Sequence, residues 1–231
     1  MYEKNDFRFE NKYFISEKEM IILENRLKNI MSLDKNLNGK YSIESLYFDD
    51  QYNTAFNEKM NGISIRSKFR ARFYNGNKDF SNLEIKHKNG HYVAKKRVFL
   101  TKDELSLIAA KNYSFMKNRL ENEVFKNFYS IHTKKNIRPV VNVVYDRTAY
   151  TYKSGNVRIT FDKNLRAAKP NSNIFYNVFP EGPKVNPIIL EVKYNNFIPS
   201  VISELLGGII ISNRTSISKF CLCLLKLEGG I

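Results

Sequence analysis

The chain has 231 residues and a mass of 27.1 kDa, with 42% hydrophobic and 13% aromatic residues. That is enough to bury a substantial core and excludes an intrinsically disordered chain. Lys plus Arg number 38 against 23 Asp plus Glu, a formal net charge of +15, so the expected partner is anionic: nucleic acid, a phosphorylated small molecule, a polyanion or an anionic membrane surface.

The first residues, MYEKNDFRFENKYF, are charged and lack the apolar run of a signal peptide. Phe7–Phe14 alternates and predicts a strand. A helix follows from Ser16, where Ser16 and Glu19 have capping-box spacing and Met20, Leu23, Leu27, Ile30 and Met31 form an apolar face. Tyr41–Phe48 predicts a strand, and Gln51–Met60 a short helix or turn ending at Asn61-Gly62. Ile63–Tyr74, Asn82–Lys88 and His91–Leu100 alternate, the last two joined by Asn89-Gly90 as a two-residue hairpin turn. Lys102–Ile108 and Phe115–Tyr129 have helical spacing. Pro139–Tyr152 and Asn156–Leu165 form a second hairpin through Lys153-Ser154-Gly155. Asn171–Pro187 is a Pro/Asn/Gly-rich loop and Ile188–Tyr194 a short strand. Ile198–Leu206, stopped by Gly207-Gly208, and Ser216–Leu227 close the chain as helices. Cys221 and Cys223 lie in the last of these, badly spaced for a bridge or a zinc knuckle, and are expected to be core thiols in a reducing compartment. No stretch reaches the roughly 18 apolar residues of a membrane span, so a soluble, cytoplasmic protein is expected. With no repeat or linker, residues 1–231 are expected to form one domain.

The informative pattern is charge parity, because side chains two apart share a strand face. In Ile63–Tyr74, Arg66, Lys68, Arg70 and Arg72 share one face, while Ile63, Ile65, Phe69, Ala71 and Phe73 occupy the other. With Lys88 facing His91 across the turn, Lys86 is expected to pair with Val93 and Glu84 with Lys95, which puts Glu84, Lys86, Lys88, Lys95 and Arg97 on one face. Ser64–Leu100 holds ten Lys or Arg against Asp79 and Glu84, more than half of the net charge. Arg8, Glu10 and Lys12 share a parity, as do Tyr145 and Arg147, then Arg158, Thr160 and Asp162, then Glu191 and Lys193. One such face is an ordinary solvated face; cations repeated on strand after strand repel one another unless a polyanion neutralises them. Glu10, Glu84 and Glu191 are then charge partners or ligands for Mg²⁺ or Mn²⁺, which takes one or two carboxylates plus substrate phosphates. An α+β fold with a closed antiparallel barrel of about eight strands, flanked by helices, would aim these cations into one tunnel. His87 and His91 fall on opposite faces of their hairpin, so a shared metal is not expected. The aromatics beside the cations mostly have the opposite parity, Tyr74 excepted, so nucleic acid is not expected as a partner.

RFENKYF, SKFRARFY, LEIKHK with AKKRVF, VVYDRTAY with NVRITFD, LEVKY and SISKF, in this order from Asp6 to Leu225, resemble the VTC domain. This is the catalytic domain of vacuolar transporter chaperone polyphosphate polymerases, in the triphosphate tunnel metalloenzyme (CYTH-like) superfamily. The resemblance implies an eight-stranded tunnel that transfers the γ-phosphate of ATP to polyphosphate, starting from pyrophosphate and releasing ADP, with Mn²⁺ or Mg²⁺. By motif it implies phosphate-handling roles for Lys12, Arg70, Arg72, Lys86, Lys95, Arg97, Arg147, Arg158, Ser218 and Lys219, and metal binding by Glu191. Glu10, on the face of Lys12, is expected as a second metal ligand or a charge partner, and Lys193, on the face of Glu191, is expected to meet the phosphates. Many superfamily hydrolases open with E-x-E-x-K, whereas this chain has Arg8-x-Glu10-x-Lys12, which favours the polymerase branch. Neither an SPX-type domain nor a membrane segment is visible, so inositol-phosphate regulation is not expected and a separate membrane-protein partner stays open. A triphosphatase of the same superfamily and a non-catalytic polyanion-binding module are the alternatives.

Overall fold

The computed structural model describes residues 8–90, 92–170, 184–185, 187–208 and 215–229. In chain order its elements begin with β1 (Phe9–Ile15), α1 (Glu17–Leu27), β2 (Ser32–Leu33), β3 (Lys40–Asp49), α2 (Thr54–Met60), β4 (Ile65–Tyr74), β5 (Asn77–Asn89) and β6 (Tyr92–Leu100). They continue with α3 (Lys102–Ala109), α4 (Glu123–Lys135), β7 (Arg138–Tyr152), β8 (Val157–Ala168), β9 (Lys184–Val185), β10 (Ile188–Tyr194), α5 (Ser200–Leu206) and α6 (Lys219–Leu227). All strands join one antiparallel sheet in the order β1-β10-β8-β7-β3-β4-β5-β6, with β2 added to β7 and β9 to β8.

The sheet curls until its edges β1 and β6 meet, but they meet at one isolated bridge, where Arg8 N donates to Val93 O at 3.3 Å. The expected closed barrel is therefore corrected: among the described residues no backbone ladder joins the two edges. Arg8 and Lys12 on one edge and Lys95 and Arg97 on the other oppose close pairing by like-charge repulsion. Side chains span the seam instead, with Phe9 and Tyr92 ring centres 5.6 Å apart and Lys86 Nζ 2.8 Å from Glu10 Oε1.

The β5–β6 turn also differs from expectation. Asn89 pairs with Tyr92, Lys88 with Val93, Lys86 with Lys95 and Glu84 with Arg97, two residues away from the predicted register. An even shift preserves the faces, so the expected set of charges still lies together. Gly90 takes φ +59, while His91 lies outside the described residues. The helix expected over Phe115–Tyr129 divides into a 3₁₀ turn, Ser114–Arg119, and α4. Asn122 makes the break: its backbone is extended and its side-chain oxygen accepts from Val124 N and Phe125 N, a cap in mid-run. The final helix starts at Lys219, with Ser218 as its cap, rather than at Ser216. Ile30 lies past the end of α1 and is exposed, whereas Met20, Leu23, Leu27 and Met31 are buried as expected. The Asn171–Pro187 loop lies mostly outside the described residues, and β9 falls within it.

Alternation sorts the sheet into two faces. On the convex side α3 and α4 cover Phe69, Phe73, Leu83, Ile85 and Val98. Farther round, α1 and α5 cover Tyr13, Ile159, Phe161, Leu190 and Val192. On the concave side α6 enters the curl, where Phe220 lies 5.4 Å from the Tyr47 ring and packs with Val143, Tyr145 and Ile189. One end of the concave face is thus apolar and plugged, and the remainder is charged.

Glu44 is an exception to this sorting, a carboxylate 4% exposed among convex-face residues of β3. Asn142 Nδ2 donates to its Oε1 at 2.9 Å, while Glu44 Oε2 and Asn142 Oδ1 have no hydrogen-bond partner among the described residues. Burial pushes its pKa to about 7, only partly offset by Asn142, Lys78 and Arg166. A raised folded pKa stabilises below the unfolded value of 4.5, and this contribution is lost as pH rises through about 7. Glu44→Gln is therefore expected to stabilise the chain at pH 8 by up to about 2 kcal/mol and to have little effect near pH 4. Denaturant unfolding at both pH values checks this; equal effects at the two would contradict it.

Candidate functional site

Three groups of charged side chains line the concave face. The first straddles β4, β5 and β6. Glu84, 2% exposed, takes Arg70 Nε and Nη2, each at 2.7 Å from Oε2, and Lys95 Nζ at 3.0 Å on Oε1, with Arg72 Nη1 at 3.9 Å. Arg70 also donates to Tyr47 Oη at 3.1 Å, and Arg72 Nε donates to Ser45 Oγ at 3.4 Å. Burial alone would push Glu84 up, but Arg70, Arg72 and Lys95 hold it well below the usual carboxylate range. For Tyr47, burial works upward, yet Arg70, Lys68 and Arg72 bring the phenol down to about 8.

The second group joins β1, β10 and β5. Cross-strand pairing of Glu10 with Lys193 and Lys12 with Glu191 sets an alternating square of charges. Lys12 Nζ lies 3.1 Å from Glu10 and 3.5 Å from Glu191; Lys193 Nζ lies 2.7 Å from Glu191 and 3.5 Å from Glu10. Lys86 reaches across the seam to both oxygens of Glu10, at 2.8 and 2.9 Å. Burial and Glu191 would raise Glu10, but Lys12, Lys86 and Lys193 hold it well below its ordinary value. Glu191 is likewise held low, by Lys193, Lys12, Arg147 and Lys219, against its burial.

The third group is on β7, β8 and α6. Arg147 grips Asp162 with two hydrogen bonds, Nε to Oδ1 at 2.6 Å and Nη2 to Oδ2 at 2.7 Å, while Lys219 Nζ lies 2.5 Å from Oδ2. Nearby, Arg158 Nε donates to Asp34 Oδ2 at 2.8 Å and its Nη2 to Tyr41 Oη at 2.7 Å. Ser218 caps α6, accepting from Cys221 N.

Of the residues expected from sequence, Lys12, Glu10, Lys86, Lys193 and Glu191 come together. So do Arg70, Arg72 and Lys95, and Arg147 with Lys219. Arg158 and Ser218 stand at either side, and Arg97 is exposed at the edge strand opposite Glu84. Two partners, Asp162 and Asp34, lie outside the site residues that the sequence predicts. Asp162 was marked by its parity with Arg158 and Thr160, whereas Asp34 sits outside the long strands where parity says nothing. His87 shares a hydrogen bond with Ser67 Oγ, 2.9 Å from its Nδ1.

No group of three His, Cys, Asp or Glu side chains among the described residues is arranged to hold a metal unaided. Glu10 and Glu191 nevertheless fit a divalent ion completed by phosphate oxygens and water. Their carboxylates are on neighbouring strands, and buried Glu191 Oε1 has no hydrogen-bond donor in line among the described residues, although Lys193 Nζ is 2.7 Å away. Beside this group the lumen opens into a cavity of about 450 Å³ lined by Lys12, Arg66, Lys68, Lys86, Lys88 and Phe220, among others.

A curled antiparallel sheet, helices on its convex side and this basic concave face define the triphosphate tunnel class. Solved structures share the fold, among them two candidate cyclases. One is HpAC1 from Hippeastrum, described as a candidate adenylyl cyclase with a dominant triphosphatase activity, with 13% identity over 97% of each chain and a TM-score of 0.59. The other is a candidate adenylate cyclase from Bacillus halodurans, with 12% identity over 93% of this chain and 96% of that one, and a TM-score of 0.58. No curated protein matches the sequence. Within the class, the VTC domain model matches residues 7–228, and the chain belongs to the VTC domain family. No helix among the described residues is long and apolar enough to cross a membrane.

Proposed function

We propose that the chain is a polyphosphate polymerase, a metal-dependent phosphotransferase that moves the γ-phosphate of ATP to the end of inorganic polyphosphate and releases ADP. The observation that carries this is the lumen of a VTC-family chain, in which cations on successive strands outnumber the buried carboxylates between them. Phosphoryl transfer asks mainly for positioning and charge stabilisation. Arg70, Arg72, Lys86, Arg147 and Arg158 hold the triphosphate, exchanging part of their contact with Glu84, Glu10, Asp162 and Asp34 for phosphate oxygens. Lys219, aimed into the lumen from the first turn of α6, meets the transferred group. Lys12, Lys95, Arg97, Lys193 and Ser218 hold the remaining phosphates. The acceptor is already anionic, so no general base is needed. Glu10 and Glu191 would hold Mn²⁺ or Mg²⁺, which would supply positive charge to the phosphates during transfer. The whole of residues 1–231 acts as one unit, in a cytoplasmic setting where the buried thiols of Cys221 and Cys223 stay reduced.

Triphosphate hydrolysis is the second reading, favoured by the activity described for the Hippeastrum protein of like fold. Mere polyanion binding is the third. ADP release from ATP, with and without Mn²⁺ and with and without pyrophosphate, separates them. The polymerase requires the metal and is accelerated by the primer. ADP formed at the same rate without primer favours a hydrolase of nucleoside triphosphates; no ADP under any condition contradicts the polymerase, and phosphate released from inorganic triphosphate then separates a triphosphatase from mere binding.

A further inference from the structure

The cations of the three groups each have a carboxylate within ion-pair distance, whereas Lys68 on the same face has none among the described residues. It follows Arg66 and precedes Arg70 on the concave side of β4, and lies opposite Lys86 of β5. Its ammonium is 3.4 Å from Ser218 Oγ, 5.4 Å from the centre of the Tyr47 ring and 5.8 Å from that of Phe220. The other charged or titratable groups facing it are Lys12 on β1, Arg70 on its own strand, Tyr47 on β3 and Cys221 on α6, with Lys59 of α2 lining the same cavity. Among the described residues, a hydroxyl and two ring faces thus offset a cation set among cations, and ring faces compensate only part of a lost hydration shell. Ser218 adds a second feature, since it begins a helix of nine residues whose N-terminal end favours anions.

We infer that Lys68 and Ser218 form a further phosphate-holding subsite, where the central charge network opens into the cavity, taking oxygens of a linear polyphosphate beyond the triphosphate that reacts. The identity of the anion as a phosphate chain rests on the proposed function. The geometry itself asks only for an anion bearing several oxygens, and the neighbouring Arg66, Lys86 and Lys88 line the space that such a chain would occupy.

The subsite carries a pH dependence. Burial lowers Lys68 to about 8, with Tyr47 opposing and Lys12 and Arg70 adding to the fall. Below that value the ammonium is present and holds the anion; above it the charge is lost. Tyr47, also near 8, becomes a phenolate over the same range and repels an anion, so both changes act in one direction.

The test is calorimetric titration of a linear polyphosphate longer than a triphosphate, able to fill the triphosphate positions and the subsite together, into the full chain, without ATP or metal, at pH 7 and pH 9. Lys68→Met is expected to bind about tenfold more weakly at pH 7, and Lys68→Arg, which keeps the charge, close to wild type. Wild-type affinity should fall by about tenfold more between pH 7 and 9 than that of Lys68→Arg/Tyr47→Phe, in which neither group titrates. Circular dichroism and melting curves confirm that each variant is folded. Lys68→Met binding as tightly as wild type, Lys68→Arg binding no better than Lys68→Met, or equal pH dependence in wild type and the double variant would overturn the subsite. Polymer formation from ATP is scored separately: its absence, with the binding pattern as stated, overturns the reaction and leaves the subsite standing.

Discussion

Asp162→Ala is expected to lower the unfolding free energy by about 3–5 kcal/mol, the usual result of removing one member of a buried ion pair. For a chain of this length that corresponds to a fall in melting temperature of roughly 6–20 °C. The reason is the company that Asp162 keeps. It is 1% exposed, it takes two hydrogen bonds from Arg147, and Lys219 sits on its second oxygen. Without it two buried cations face each other on β7 and α6, and the plug helix loses its polar anchor. Burial would raise Asp162, but Arg147 and Lys219 hold its pKa below the ordinary 3.8. A depressed carboxylate contributes stability above its unfolded pKa and loses it as pH falls through the folded one. The difference between wild type and the variant should therefore be full at pH 7 and shrink only below pH 3.8. Asp34→Ala serves as the contrast, because Arg158 is partly solvated and less is lost when its partner goes. Thermal melts of the two variants, with equal losses, would show that burial does not govern these pairs.

Arg70→Met is expected to behave oppositely, reducing ADP release by about 10²–10³-fold, the scale for loss of one charged donor to a transition state, with a much smaller change in melting temperature. Glu84 keeps Lys95 at 3.0 Å and Arg72 at 3.9 Å when Arg70 is gone, so no buried charge is stranded. The reaction loses more, because Arg70 presents a planar fork held by Glu84 and Tyr47 in a fixed direction. Lys18→Met, which removes an exposed cation on α1 away from the concave face, is expected to stay within about threefold of wild type. Steady-state ADP release for the two variants is the measurement, and comparable losses would mean that Arg70 acts through general charge and not through its placement.

Much of this arrangement is legible in the order of residues. Strict alternation in Ile65–Tyr74 separates Arg66, Lys68, Arg70 and Arg72 from Phe69, Ala71 and Phe73, and a period-2 pattern admits only one assignment of faces once one face is apolar. That logic survives the two-residue error in the β5–β6 register, because an even slip exchanges partners without exchanging faces. It fails where no alternation exists. Asp34 lies beside a two-residue strand, and only the fold brings it to Arg158, 124 positions away. The closed barrel was inferred from what the cations need, and charge repulsion between the edges is what that inference omitted. From sequence Asn122 reads as part of a helical run, because an Asn inside an apolar pattern looks the same whether it continues a helix or caps the next one.

The measurement that most directly tests the account is polymer length set against ADP. Purified chain is incubated with ATP, Mn²⁺ and pyrophosphate, the products are resolved on a gel stained for polyphosphate, and ADP is quantified in the same samples. The account predicts a ladder that lengthens with time, with phosphate in polymer matching the ADP released. Free phosphate accumulating in step with ADP, and no ladder, would contradict it.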